Sequence, residues 1–207
     1  MPLTVFSEDI KVEDLSGVRQ LVRLEETDST QSVARELALE GNGERTLVLA
    51  ARQTHGKGRM GRVWQSRPGG IYMTLILKPS IGLKYLPDLS LLGGEVVSST
   101  LKELYGFKTR IKLPNDVYVF HPRKKKWLKI AGILTESASV AKTPSWILLG
   151  IGLNLNNKVP LDCAVSAREL LGGETSPADF LKAFFVNFWA RYSSWEYSSR
   201  AKTSRAG

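Results

Sequence analysis

Two runs of buried-strand composition, TLVLAAR (Thr46 to Arg52) and IYMTLILKP (Ile71 to Pro79), bracket the stretch ARQTHGKGRMGRVWQS, Ala51 to Ser66. Three glycines, two arginines and one lysine fall within Gly56 to Arg62, and Trp64 follows. Glycine removes side-chain bulk and permits unusual backbone angles, and the basic residues attract anions. The segment therefore reads as a loop folded closely around something negatively charged. It lies between two strands. No glycine-lysine-serine/threonine ends it and no helix follows, so it matches neither the P-loop nor the dinucleotide fingerprint. Backbone amides can wrap a phosphate with Lys57, Arg59 and Arg62 around it, and Trp64 can stack on a ring. By itself the loop is equally compatible with a nucleotide and with the phosphates of DNA.

The elements around this loop set the fold class. RQLVRLEE near Leu21 to Leu24 reads as a short strand. Ser29 or Thr30 then caps a helix with a Val33, Leu37, Ala38 stripe, ended by Gly41 or Gly43. LPDLSLLGGEVVSSTLKELYG reads as a helix with a flexible step at Gly93-Gly94. TRIKLPNDVYVF and WLKIAGILTES are strands flanking a polar hairpin tip, HPRKKK, and SWILLGIGLNLN is another buried strand. Ser166 and Glu169 have capping-box spacing. Ser176 and Pro177 open a final helix whose Phe184, Phe185, Phe188 and Trp189 are expected to pack on the sheet. The order predicts an α+β domain, a large mixed sheet with helices packed on it. It occupies residues 1–192, with a polar, basic, mobile tail over 193–207.

Composition narrows the class of chemistry. One cysteine, Cys163, excludes an internal disulfide framework and a multi-cysteine metal site, and His55 and His121 stand far apart, so no metal site is expected. The acidic N-terminus (Glu8, Asp9, Glu13, Asp14) and the lack of a long apolar run point to a cytoplasmic protein. The net charge of +9 favours anionic partners without naming one.

Three further pieces can carry chemistry. KLPND, Lys112 to Asp116, reads as a β-turn, or as an amide and a carboxylate displayed at a strand end. KIAGIL, Lys129 to Leu134, places a lysine beside a glycine that leaves room for a ligand, or simply continues the basic hairpin. GIGLNLN, Gly150 to Asn156, puts two glycines and Asn154 where a flat pocket needs them, or merely bends a strand.

Together and in order, TDST, QTHGKGRMGRVW, KLPNDV, KIAGILTE and GIGLNLN resemble the catalytic domain of the biotin protein ligases, also called biotin–[acetyl-CoA-carboxylase] ligases. The resemblance runs from about Glu25 to Asn157. It implies a fold like that of class II aminoacyl-tRNA synthetases and an ATP-dependent enzyme. Biotin and ATP, with Mg²⁺, are its substrates and biotinyl-5′-AMP its intermediate. The biotinyl group then passes to a lysine of a biotin carboxyl carrier protein.

By resemblance, Ser29, Thr30 and Gln53 hold the biotin ring, and Gly56, Lys57, Gly58, Arg59 and Arg62 close over the adenylate. Trp64 packs near the adenine, and Asn115 and Asn154 are nucleotide-side contacts. Lys129 sits between the biotin carboxylate and the α-phosphate, Gly132 and Gly150 line the wall, and Asp116 orients or deprotonates the acceptor lysine. Lys57, Lys129, Arg59 and Asp116 form the implied catalytic set.

Lys57, Met60 and Leu113 depart from the family pattern, standing where arginine, a basic residue and tryptophan are usual. Too few residues precede Leu21 for a DNA-binding helix-turn-helix, so no DNA partner is expected. The family's small C-terminal barrel is expected to be missing, and a homodimer is common among such enzymes. The competing readings are a lipoate-type ligase of the same fold and a basic nucleic-acid-binding protein.

Overall fold

The computed structural model describes residues 10–41, 43–79, 85–140 and 143–204. Seven strands and four helices follow a short 3-10 turn in the order β1 (Gln20–Thr27), α1 (Thr30–Leu39), β2 (Thr46–Gln53), β3 (Ile71–Leu77), α2 (Leu86–Tyr105), β4 (Thr109–Lys112), β5 (Asp116–His121), β6 (Lys126–Val140), β7 (Thr143–Leu153), α3 (Ala167–Leu171) and α4 (Pro177–Ser204). They build one sheet, ordered β1-β2-β3-β7-β6-β5-β4. Only the β1–β2 pair is parallel, because α1 crosses over between them; the other pairs are antiparallel. This is the expected mixed α+β sheet.

Strand alternation sends side chains to two different environments. On one face Leu47, Leu49, Leu75, Val117, Val119, Leu128, Ile147 and Leu149 join the main core with residues of α2 and α4. On the other, Val48, Ile76 and Leu148 pack with Ala34 and Ala38 of α1. Helix α1 starts where Ser29 Oγ accepts a hydrogen bond from the Gln31 N–H at 3.3 Å, so Ser29 is the cap.

Three local features differ from the expectations. Gly93 and Gly94 lie inside an uninterrupted α2 and are buried. A Cβ at Gly93 would sit 3.3 Å from Leu149 Cδ1, so this pair lets the helix approach the sheet closely rather than flex. Helix α4 packs mainly against α2, with Phe184, Phe185 and Phe188 in the core cluster that α2 and the sheet residues share. Finally, α4 continues through Ser204, so the boundary placed at Tyr192 falls inside the helix. Tyr192 and Trp195 have ring centroids 5.5 Å apart, and both belong to or pack on the core. Residues 205–207 of the expected tail lie outside the described residues.

Candidate active site

The sheet face that carries α1 is left uncovered by helices at the β7–β6–β5 side, and the glycine loop folds over it there. Thr54 N–H donates to Thr27 O and His55 N–H to Asp28 O, both at 2.9 Å, which anchors the loop to the β1–α1 connection. The loop then doubles back: Trp64 N–H reaches Gly56 O at 2.8 Å and Gly58 N–H reaches Arg62 O at 2.7 Å. A side chain at Gly56 could not fit this return, since a Cβ would lie 2.5 Å from Trp64 O and 2.7 Å from Ser66 Oγ. At the tip Met60 has φ +56° and is 86% exposed.

Beneath the loop lies a cavity of about 440 Å³, a size that suits a small molecule. Its floor is glycine. Gly132 and Gly152 face each other across the β6–β7 pair, and the Trp64 indole lies on them. A Cβ at Gly152 would come 2.5 Å from indole Cε2 and Nε1, and one at Gly132 would come 3.0 Å from Cζ3. Gly150 leaves room in the same way for the Gln31 side chain, 3.0 Å from where a Cβ would stand.

Lys57, Arg59, Arg62, Lys112 and Lys129 all line the cavity, with Asp116 as the single carboxylate among the described lining residues. Lys129 reaches this place through a bulge. Val117 pairs with Ala131 but Tyr118 pairs with Lys129, so Ile130 is left over. In unbroken register Lys129 would oppose Val119 and point into the α2 core; the extra residue turns it to the cavity face. There its Nζ meets Asp116 Oδ1 at 2.7 Å, with 26% and 19% of the two side chains exposed. The same ammonium stands 5.1 Å from the Trp64 ring centroid. Asn115 braces the β4–β5 turn by donating to Ile133 O at 2.9 Å and accepts from Arg59 Nη1 at 3.2 Å.

At the opposite end of the cavity stand Ser29, Thr30, Gln31 and Gln53. Gln53 is already committed: its Oε1 accepts from the Thr30 N–H at 2.8 Å and from Thr30 Oγ1 at 3.1 Å, and its Nε2 donates to Ser66 Oγ at 2.6 Å. Thr74 supports the set by donating to Thr30 Oγ1 at 2.8 Å. Gln31 is different. It is 3% exposed, and neither amide atom has a partner among the described residues.

The sequence-derived site residues thus converge: Ser29, Thr30, Gln53, Lys57, Arg59, Arg62, Trp64, Asn115, Asp116, Lys129, Gly132 and Gly150 all line one cavity. Gly56 and Asn154 do not. Gly56 shapes the loop from behind. Asn154 is buried, accepts from Asn157 Nδ2 at 3.0 Å, and ties β7 to Ile130 and Ala167 through its backbone. The sequence reading missed Gln31 and Lys112; it counted both glycines of GIGLNLN toward a flat pocket, and Gly152 lines the cavity beside Gly150. For Gln31 the available signal is its place directly after Ser29-Thr30 in the first turn of α1.

Such an arrangement can hold an elongated anion under backbone and cations, with a polar amide at one end and a lysine–aspartate pair toward the other. Among the described residues no cluster of histidine, cysteine, aspartate and glutamate has the make-up of a metal site, and no helix is long and apolar enough to cross a membrane.

Known proteins share this architecture. The chain is 38% identical over 171 residues to the bifunctional ligase/repressor BirA of Bacillus subtilis (strain 168), covering 79% of this chain and 51% of that protein. It therefore spans about half the length of that relative. The biotin protein ligase of Aquifex aeolicus, solved in complex with biotin and ATP, superposes with a TM-score of 0.72 at 29% identity, over 87% of this chain and 73% of that one. The Leishmania major biotin protein ligase in complex with biotinyl-5-AMP gives 0.71 at 26% identity, over 85% and 76%. Residues 24–154 match the family model itself, so the chain belongs to the biotin/lipoate A/B protein ligase family.

Proposed function

We propose that this chain condenses biotin with ATP to biotinyl-5′-adenylate beneath the glycine loop, and transfers the biotinyl group to one lysine of a biotin carboxyl carrier protein. The observation that carries this reading is the bulge that aims Lys129 at Asp116, 2.7 Å away, within a glycine-floored slot that Lys57, Arg59, Arg62 and Lys112 also line. The relatives' complexes with biotin, ATP and biotinyl-5-AMP fit the same slot chemistry.

In the first step a biotin carboxylate oxygen attacks the α-phosphorus of ATP. The bond to the β-phosphate's bridging oxygen breaks, and pyrophosphate leaves with its electron pair. Two anions meet, and negative charge grows at phosphorus, so fixed cations lower the barrier. Lys129 bridges carboxylate and α-phosphate, while Lys57, Arg59 and Arg62 neutralise the remaining phosphate oxygens. ATP enters as its Mg²⁺ complex, the metal being part of the substrate. Trp64, Asn115 and, from behind, Asn154 shape the nucleotide side. Ser29, Thr30, Gln31 and Gln53 shape the end that takes the ureido ring, whose buried donors and carbonyl need partners.

In the second step a neutral lysine amine attacks the acyl carbon. The acyl–phosphate bond breaks toward AMP, and the nitrogen loses one proton. As Lys129 turns to the incoming anion, Asp116 loses its partner and becomes the carboxylate available to orient the amine or take that proton.

Pyrophosphate exchange into ATP, with biotin, lipoate and octanoate supplied separately, tests the first step. Exchange with biotin alone supports the proposal. Exchange with lipoate moves the chain to the lipoate branch of the family, and no exchange with any acid refutes it.

A further inference from the structure

The face of the sheet that forms the cavity floor does not stop at Lys129. It continues across β6, β5 and β4 toward the free edge, where neither α1 nor the glycine loop covers it. Strand alternation sets what it displays. Trp127 of β6 is paired with Phe120 of β5, and Tyr118 is paired with Lys129 on one side and Arg110 on the other. All three rings are half-buried, and cations lie over each. Arg110 is 4.4 Å from the Trp127 centroid and 5.9 Å from Tyr118, Lys112 is 5.6 Å from Tyr118, and Lys108 is 5.7 Å from Phe120. The β5–β6 tip adds Arg123, Lys124, Lys125 and Lys126, all exposed. Among the ion pairs of the described residues only Lys124 is engaged, with Glu169 at 2.7 Å; Lys108, Arg110, Lys112, Arg123, Lys125 and Lys126 are not.

Resting on the transfer reaction proposed above, we infer that this basic, ring-backed flank is where the acceptor protein docks, and that the acceptor is an acidic domain carrying carboxylates around its target lysine. Three observations lead there. The flank is continuous with the cavity, since Lys112 belongs to both. Its unpaired cations are complementary to carboxylates and hold a partner beside the slot without entering it. Its rings are capped by the cations that lie over them, so their faces are not open for bases to stack on, which favours a protein over a single-stranded nucleic acid.

The test separates docking from chemistry. The full chain carrying Lys108→Glu and Arg110→Glu is compared with the wild type and with a control of equal charge change, Lys78→Glu with Arg19→Glu, two exposed residues on the β1–β3 side of the sheet, away from this flank. Biotin-dependent pyrophosphate exchange measures adenylate formation without any acceptor. Single-turnover transfer from preformed biotinyl-adenylate to a purified acidic biotin carboxyl carrier domain measures docking, at several acceptor and salt concentrations. The flank variant is expected to exchange within about twofold of wild type while its second-order transfer rate falls about tenfold or more. The wild-type rate should drop with added salt, and that dependence should flatten in the variant. Transfer at the wild-type rate, or an equal loss in the control, overturns the inference while leaving the adenylation reading intact. Tight binding of an oligodeoxythymidylate that blocks transfer assigns the flank to nucleic acid instead. Absence of biotin-dependent exchange in the wild type overturns the reading on which the inference rests.

Discussion

Gln31 offers a prediction in which stability and function move in opposite directions. Gln31 is 3% exposed inside the cavity, and neither Nε2 nor Oε1 has a partner among the described residues. A buried polar group left without a partner costs about 1–3 kcal/mol. Methionine matches glutamine in length, has similar helix propensity, and needs no partner. Gln31→Met at the second residue of α1 removes the unpaired amide without opening a void. Stability is expected to rise by about 1–2 kcal/mol, at the lower end of that range because the cavity admits solvent. In a chain of this length each kcal/mol moves the midpoint by about 2–4 °C, so Tm should climb by about 2–8 °C in a thermal melt without ligand. Biotin binding should weaken, because two hydrogen bonds of about 0.5–1.5 kcal/mol each are lost, a drop of roughly 5- to 150-fold in affinity by calorimetry. A variant that melts lower than wild type, or that binds biotin with unchanged affinity, refutes the argument that this amide is held open for a ligand.

Other consequences follow from the same geometry. Gly152→Ala places a methyl 2.5 Å from the Trp64 indole, so it should cost about 1–3 kcal/mol and impair ligand binding. Gly94→Ala, whose nearest neighbour is 3.6 Å away in a helix interior, should be neutral or stabilising in the same melts. Lys129→Ala should slow single-turnover adenylate formation by about 100-fold or more, whereas Asp116→Ala should slow transfer from preformed adenylate. Wild-type rates in either assay remove the role assigned to that residue. Tryptic cleavage after Lys57, Arg59 and Arg62 should be fast in the free protein and suppressed by biotin with ATP, and equal cleavage in both states contradicts closure of the loop.

Much of the fold was legible because its signals are local. The run TLVLAA reads as a buried strand, and all six of its residues are buried in β2. Ser29 caps α1, and Ser166 accepts from the Glu169 N–H at 3.3 Å as their spacing requires. The motif set converges on one cavity because each motif ends a strand or turn on the same sheet face. What escaped the reading depends on partners far away in sequence. Gly93-Gly94 looks like a flexible step until Leu149 and Ile133 are placed beneath it. The polar end of α4 looks like a tail until Trp195 is seen against Tyr192. Gln31 looks like an ordinary first-turn residue until its neighbours are found to leave both amide atoms unpaired. The bulge at Ile130 carries no mark in KIAGIL, yet it decides whether Lys129 enters the core or the site.

That bulge also bears on how the site tolerates change. Along β5 and β6 the core-facing residues Val117, Val119, Leu128 and Ile130 alternate with residues of the other face, Asp116, Tyr118, Trp127 and Lys129. The first set is nearly inaccessible and anchors the sheet to α2; the second faces the cavity and its basic flank. A substitution on the site face therefore leaves the packing that holds the sheet unchanged, since the two sets share backbone but not side-chain neighbours. The three positions that the resemblance marks as departures are Lys57 and Met60 on the glycine loop and Leu113 in the β4–β5 turn, 70% exposed. None lies on the core face. Lysine at position 57 keeps its charge but loses the two-pronged geometry of arginine, and its cost falls on affinity for the anion rather than on folding. Glycine positions 132, 150 and 152 have no such freedom, because Trp64 and Gln31 already occupy the space a side chain would need. The floor of the slot is fixed by sterics, whereas its cationic roof and its flank are adjustable by charge.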